Sequence, residues 1–152
     1  MTIWIDADAC PVAIRDIVTR ASQRVNIQSV FVANHVLRLP NHPSIRFIQV
    51  EKGYDVADNL IVQRVEDGDF VVTQDIPLAA ELLDKCDVTA VNPRGERYTR
   101  ETIKSQLTLR DFYETMRASG IESGGGPSAF SSADKQRFGN ELDKWINKIR
   151  RK

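Results

Sequence analysis

Five aspartates and a few partners account for most of the chemistry this sequence can offer. Asp6 and Asp8 follow the apolar run Ile3-Trp4-Ile5, and Cys10-Pro11 comes directly after them. Asp55 and Asp58 open the stretch behind Gly53-Tyr54, and Asp75 closes Phe70-Val71-Val72-Thr73-Gln74. Carboxylates held close together repel unless a positive charge sits among them. An oxygen-rich donor set in a chain with only two histidines suits a hard cation, Mg2+ or Mn2+. Such an ion activates water and stabilises charge on a phosphoryl group in transfer. Aspartate also caps helices for purely structural reasons, and Asp8, Asp55 and Asp75 each fit that plainer role.

The remaining reactive groups are weaker candidates. A helix start acidifies a thiol, but two carboxylates beside Cys10 oppose a thiolate. The spacing from Cys10 to Arg15 is also one residue short of a Cys-x5-Arg phosphate loop. Cys10 therefore reads as inert. His35 and His42 flank a proline loop and read as surface residues. Arg94, Arg97 and Arg100, with Tyr98 between them, form the best anion-binding patch, because guanidinium forks match phosphate oxygens and an aromatic can stack a base. A solvated loop is the plainer alternative. Gly124-Gly125-Gly126 is either a lid hinge or a linker.

Each acid needs an element to deliver it. Thr2–Ile5 reads as strand one. Pro11–Val25 reads as a helix, with Ile14, Ile17, Val18, Ala21 and Val25 at helical spacing. Ser29–Ala33 and Ile45–Val50 read as strands, with a two-proline loop between them. Asp55 to Glu66 reads as a helix that carries Ala57, Leu60, Ile61 and Val65 on one face, and Asp55, Asp58 and Asn59 on another. Phe70–Thr73 and Val88–Val91 are further strands, with a helix over Ile76–Lys85 between them. Alternating helices and near-continuous apolar strands predict an α/β fold. The expectation is a three-layer α/β/α sandwich with a five-stranded, mostly parallel sheet, order 3-2-1-4-5. In that arrangement the C-terminal strand ends share one edge. Strands one and four are neighbours there, so Asp6 and Asp75 approach each other, and Asp58 reaches in from a helix first turn.

Beyond Val91 the pattern changes. Asn92–Tyr98 reads as a polar turn-rich loop, and Thr99–Gln106 as a short helix. Thr108 with Asp111 reads as a capping box for a helix carrying Leu109, Phe112, Tyr113 and Met116, which Gly120 stops. Ser131 caps a last helix with the stripe Phe138, Leu142, Trp145, Ile146 and Ile149, suited to docking on the sheet. The chain has 152 residues, 41% of them hydrophobic and 28% charged, which fits one globular domain over 1–152. Lys plus Arg and Asp plus Glu number 21 each, so overall charge selects no partner. The halves differ. Residues 1–93 carry 8 basic and 13 acidic side chains, and residues 94–152, a basic and mainly helical extension, carry 13 and 8. No secretory segment and no membrane-spanning run is visible, so no membrane partner is expected. The cytoplasm is the expected location, with Cys10 and Cys86 as reduced thiols.

Four motifs in order resemble the bacterial YaiI/YqxD family: Ile5-Asp6-Ala7-Asp8-Ala9-Cys10-Pro11, Gly53-Tyr54-Asp55-Val56-Ala57-Asp58-Asn59, Thr73-Gln74-Asp75-Ile76-Pro77-Leu78-Ala79 and Asn92-Pro93-Arg94-Gly95-Glu96-Arg97-Tyr98-Thr99. Arg117-Ala118-Ser119-Gly120 and Gly124-Gly125-Gly126-Pro127 fit it as well, so the similarity spans essentially the whole chain. The resemblance implies a PIN/NYN nuclease-like fold with Asp6, Asp58 and Asp75 as catalytic acids. Asp8 and Asp55 become auxiliary acids. In the nuclease reading of the residues Mg2+ or Mn2+ is the expected cofactor, RNA the expected partner, and Arg94, Arg97, Tyr98, Asn59 and Thr73 the expected substrate contacts. Two departures stand out. Strand one ends in Asp-x-Asp-x-Cys-Pro where many relatives of that fold have Asp-x-x-Asn, and residues 94–152 exceed the minimal domain.

Three activities follow from these residues. The first is a metal-dependent phosphodiesterase acting on RNA. The second is a phosphatase of the haloacid-dehalogenase type, with Asp6 as nucleophile, Asp8 as acid/base and Thr73 as the strand-end hydroxyl. The third is a non-catalytic RNA- or protein-binding module with an acidic metal pocket.

Overall fold

Strand β1, Thr2–Asp6, is central because its residues alternate between two buried faces. Ile3 and Ile5 enter one apolar cluster and Trp4 the other. The structure, a computed structural model, describes residues 1–53, 56–109 and 130–150. After β1 come a 3-10 turn (Ala7–Ala9), α1 (Val12–Val25), β2 (Gln28–Ala33), β3 (Ile45–Gln49) and α2 (Val56–Arg64). Then follow β4 (Phe70–Val72), α3 (Ile76–Lys85), β5 (Thr89–Val91) and β6 (Arg97–Tyr98). Helix α4 covers 103–109, and α5 is Ser132–Arg150. The sheet order is β3-β2-β1-β4-β5-β6. All neighbours are parallel except β5 and β6.

The expected order therefore holds, with one correction: among the described residues the sheet has six strands, not five. Residues read as the end of a loop, Arg97 and Tyr98, form the antiparallel β6. The reversal between β5 and β6 is a tight turn. Asn92 accepts at its backbone oxygen from the Gly95 amide (2.9 Å), and its Oδ1 accepts from the amides of Arg94 (2.9 Å) and Glu96 (3.0 Å). Gly95 sits at φ +82°, where a Cβ would lie 2.4 Å from the Phe138 backbone nitrogen. Glycine is required there both for its dihedral freedom and for that close approach.

Helices cover both sides of the sheet. Ile14, Val18 and Ala21 of α1 and Phe138, Leu142, Trp145 and Ile146 of α5 pack with Ile3, Ile5, Phe31 and Phe70. On the opposite face, Ile61 of α2 and Leu78, Ala79, Leu82 and Leu83 of α3 pack with Trp4, Val30, Val32 and Val71. Burying one large apolar side chain contributes about 1.5–3 kcal/mol. The four from α5 together rival the whole stability of a typical domain, about 5–15 kcal/mol. Helix α5 is thus part of the core. Its start is a reciprocal capping box: the Asp134 amide donates to Ser131 Oγ (3.3 Å), and the Ser131 amide donates to Asp134 Oδ2 (2.9 Å).

At the N-terminal edge of the sheet, buried Asp69 ties strands together. Its carboxylate accepts from the Thr2 amide (3.0 Å), Trp4 Nε1 (3.0 Å) and the Glu66 amide (2.9 Å). Thr108 does not cap a helix: it lies inside α4, where its hydroxyl donates to the Lys104 carbonyl. Asp111, Phe112, Tyr113, Met116, Gly120, the Arg117–Gly120 motif and Gly124–Gly126 lie outside the described residues, as does Asp55. Among the described residues no helix is long and apolar enough to cross a membrane.

Candidate functional site

The C-terminal edge of the sheet carries the acids. Strand alternation sends Asp6, next after Ile5, and Thr73, next after Val72, toward the α2/α3 side. The Thr73 hydroxyl donates to Asp6 Oδ2 (2.9 Å) and accepts from the Asp75 amide (3.0 Å). Asp75 caps α3, its Oδ1 accepting from the Leu78 amide (3.1 Å). Beneath them, the buried Tyr98 hydroxyl donates to the Thr73 carbonyl (3.1 Å). Thr73 is therefore held from both its side-chain and backbone oxygens, and it fixes where both acids stand. Burial pushes the Asp6 carboxyl above its ordinary value. The Thr73 hydrogen bond opposes this, and the charges of Asp75 and Asp8 add to it.

Asp8 leans toward the end of β2. Both of its oxygens accept from the Asn34 amide, at 3.0 and 3.1 Å, and Oδ1 meets His35 Nδ1 at 2.9 Å. His35 is thus a surface imidazole, as expected, and one oriented by an acid. It also lines a groove of about 340 Å3 between α1 and the loop after β2, together with Val12, Arg15, Thr19, Leu37 and Arg38. Arg15 Nε is shielded there and has no hydrogen-bond partner among the described residues. Arg15 also draws the Cys10 thiol down and Asp6 pushes it up, but burial dominates and lifts Cys10 to about 12. Cys10 is protonated at neutral pH and is not a nucleophile.

A second cavity, about 280 Å3, opens beside Asp75. Gln74 and Ile76, which flank that acid, line it with Pro11, Arg94, Tyr98 and Phe130. It lies across the start of α1 from the groove, since Pro11 faces one and Val12 the other.

The expected arginine patch does not assemble. Arg94 pairs with Asp134 at 3.0 Å. Arg97 points away from Tyr98, as neighbours on a strand must, and lines a small pocket with Met1, Gly68 and Trp145 at the other end of the sheet. Arg100 Nε donates to the Leu83 carbonyl at the end of α3. Tyr98 is buried, and burial raises its phenol above the ordinary value. Asn59 is exposed on α2. Asp58 lies in the first turn of α2, the helix that packs against β1 and α3. Among the described residues no three His, Cys, Asp or Glu side chains form a metal-binding group. The structure thus joins Asp6 to Asp75 through Thr73, with Asp8 close enough to raise the Asp6 carboxyl, and it does not close a three-acid cluster with Asp58.

Sequence reasoning overlooked Arg15 and Arg38 as a basic groove, and Gln106 as a lining residue of the second cavity. The available signal for the groove was the basic pair on either side of the His35 loop.

Residues 4–148 match the family described as "Uncharacterized BCR, YaiI/YqxD family". The chain is 54% identical over 151 residues to a UPF0178 protein of Pectobacterium carotovorum subsp. carotovorum, covering 99% of both chains. It is 52% identical over 151 residues to one of Aliivibrio salmonicida, again covering 99% of both. A UPF0178 protein of Proteus mirabilis is 54% identical over 152 residues, covering 100% of this chain and 99% of its own. The chain belongs to the YaiI/YqxD family. No solved structure matches it.

Proposed function

We propose that this chain is a divalent-cation-dependent phosphodiesterase of PIN-like type that cleaves single-stranded RNA. The observation that carries the reading is the Asp6–Thr73–Asp75 arrangement at the C-terminal edge of the central strands, where open α/β sheets bind ligands. Burial raises the Asp6 carboxyl and the charges of Asp75 and Asp8 add to it, so a cation there would offset both the burial and the repulsion. The donors are all oxygens, which fits Mg2+ or Mn2+. Asp6 and Asp75 would hold it, with Asp8, Asp55 and Asp58 as the further acids of the two motifs. Bound there, it would supply an activated water and neutralise charge on the phosphate.

The chain's own groups account for the rest. Thr73 holds Asp6 Oδ2 in place. Asp75 spends Oδ1 on its helix and keeps Oδ2. Arg15 and Arg38 offer guanidinium donors to a flanking phosphate of the strand lying in the groove, which takes over the role expected of Arg97. His35, aligned by Asp8, lines the same groove. Two free cysteines are compatible with action in the reducing cytoplasm.

The test is cleavage of a labelled single-stranded RNA by the purified chain with Mn2+, with Mg2+ and with excess chelator. Cleavage is expected only with metal, and it disappears in Asp6→Asn and Asp75→Asn. Full activity in chelator or in either variant overturns the reading. Metal uptake and RNA binding without turnover would favour the non-catalytic module. A trapped aspartyl-phosphate on Asp6 would favour the phosphatase.

A further inference from the structure

The cavity beside Asp75 has no part in the chemistry above, yet its walls are selective. Tyr98 and Phe130 supply flat rings, and Pro11 and Pro93 supply rigid apolar edges. Its polar groups are mostly committed elsewhere. The Tyr98 hydroxyl is used on Thr73, the Asn92 amide closes its own turn, and Arg94 meets Asp134. Gln106 is different. It lines the cavity, and its Oε1 is shielded from solvent with no hydrogen-bond partner among the described residues. A polar atom in that state can take its hydrogen bond from a water or from a donor on whatever enters the cavity. The cavity, about 280 Å3, is close to the lower limit of about 300 Å3 for small-molecule sites.

We propose that this cavity is a nucleobase subsite that takes one unpaired base of the RNA substrate, stacked on the aromatic wall with its Watson–Crick edge toward Gln106. A planar heteroaromatic fits flat apolar walls, and every base presents a π-face for stacking. Every base also carries an N–H or NH2 on its pairing edge, and Gln106 Oε1 is an acceptor open to such a donor. The subsite borders Asp75, so a base seated in it places the adjoining phosphate at the Asp6–Asp75 rim. Because Gln106 occupies the pairing edge, a base already in a duplex is excluded. Selection for single strands is then built into the cavity. The ligand's identity as RNA rests on the phosphodiesterase reading, but the binding geometry does not.

The experiment compares CMP with ribose 5-phosphate by calorimetry on the full chain in excess chelator. CMP is expected to bind about 5- to 100-fold more tightly, the usual gain from stacking. Gln106→Leu is expected to weaken CMP by about 2- to 10-fold and to leave ribose 5-phosphate unchanged. Its thermal midpoint should match or exceed the parent's, because leucine removes the unmet amide, and a lost signal is then not a lost fold. Phe130→Ala should narrow the gap between the two ligands. Equal affinity for CMP and ribose 5-phosphate, or undiminished CMP binding by Gln106→Leu, overturns the proposal. Mn2+ uptake, measured on the same protein without chelator, separates the two ideas. Uptake without CMP preference removes the subsite alone. CMP preference without uptake removes the phosphodiesterase reading and leaves the subsite standing.

Discussion

Replacing Thr73 by valine keeps the shape of a fully buried side chain and deletes only its hydroxyl. Two hydrogen bonds go with it: one donated to Asp6 Oδ2 at 2.9 Å and one accepted from the Asp75 amide at 3.0 Å. A bond to a charged partner contributes about 1.5–3 kcal/mol and a neutral one about 0.5–1.5 kcal/mol. Thr73→Val should therefore cost about 2–4 kcal/mol in urea unfolding at pH 7, with an unchanged m-value. Thr73→Ser keeps the hydroxyl and should cost about 1 kcal/mol, the lost methyl alone. In an Asp6→Ala background only the Asp75 amide remains as partner, so Thr73→Val should cost about 1 kcal/mol there. The coupling between the two positions is then about 1.5–3 kcal/mol. The deficit should also shrink in acid, because the bond from Thr73 is one of the factors holding the Asp6 carboxyl down. Equal costs of Thr73→Val with and without Asp6 would refute the claim that this hydroxyl positions the acid.

Asp6→Asn should stabilise the fold near neutrality while abolishing Mn2+ uptake. Folding raises the Asp6 carboxyl, so the charged form is disfavoured in the native state, and the penalty is absent below the unfolded value and grows as pH rises through the folded one. The gain in denaturation midpoint should accordingly vanish at low pH, and a gain that persists in acid would contradict the sign. Asp69→Ala should cost about 3–5 kcal/mol by chemical denaturation, since three donors lose their acceptor and buried Trp4 Nε1 is left unmet; a loss under 1 kcal/mol would refute its role as a strand tie. Gly95→Ala should cost about 3 kcal/mol, combining the positive φ with a Cβ 2.4 Å from the Phe138 nitrogen. Faster amide exchange at the start of α5 would locate the damage, and a Tm equal to the parent's would be the contrary result.

The pairing of Asp6 with Asp75 was legible because it depends on strand order alone. Apolar runs that alternate with helices force parallel strands, and β1 beside β4 brings their C-terminal ends together. β6 was not legible, because a strand of two residues shows no period. That omission also misplaced the arginines: once Arg97 and Tyr98 sit on a strand, they must face opposite ways. Asp69 hid its role because its partners Thr2 and Trp4 lie more than sixty positions upstream. The groove was hidden for a similar reason. Arg15 belongs to a helix and His35 to a loop, and only the crossing of α1 over the end of β2 brings them together. Asp58 read as a third acid because helical spacing gives its face but not its reach.

The outermost strands carry a consequence of another kind. β3 exposes Arg46 and Gln49 and follows a segment containing Pro40 and Pro43, and β6 is only two residues long. Charge, proline and brevity are what keep an open ladder from recruiting foreign backbone. Neither rim offers an inviting template for cross-β growth.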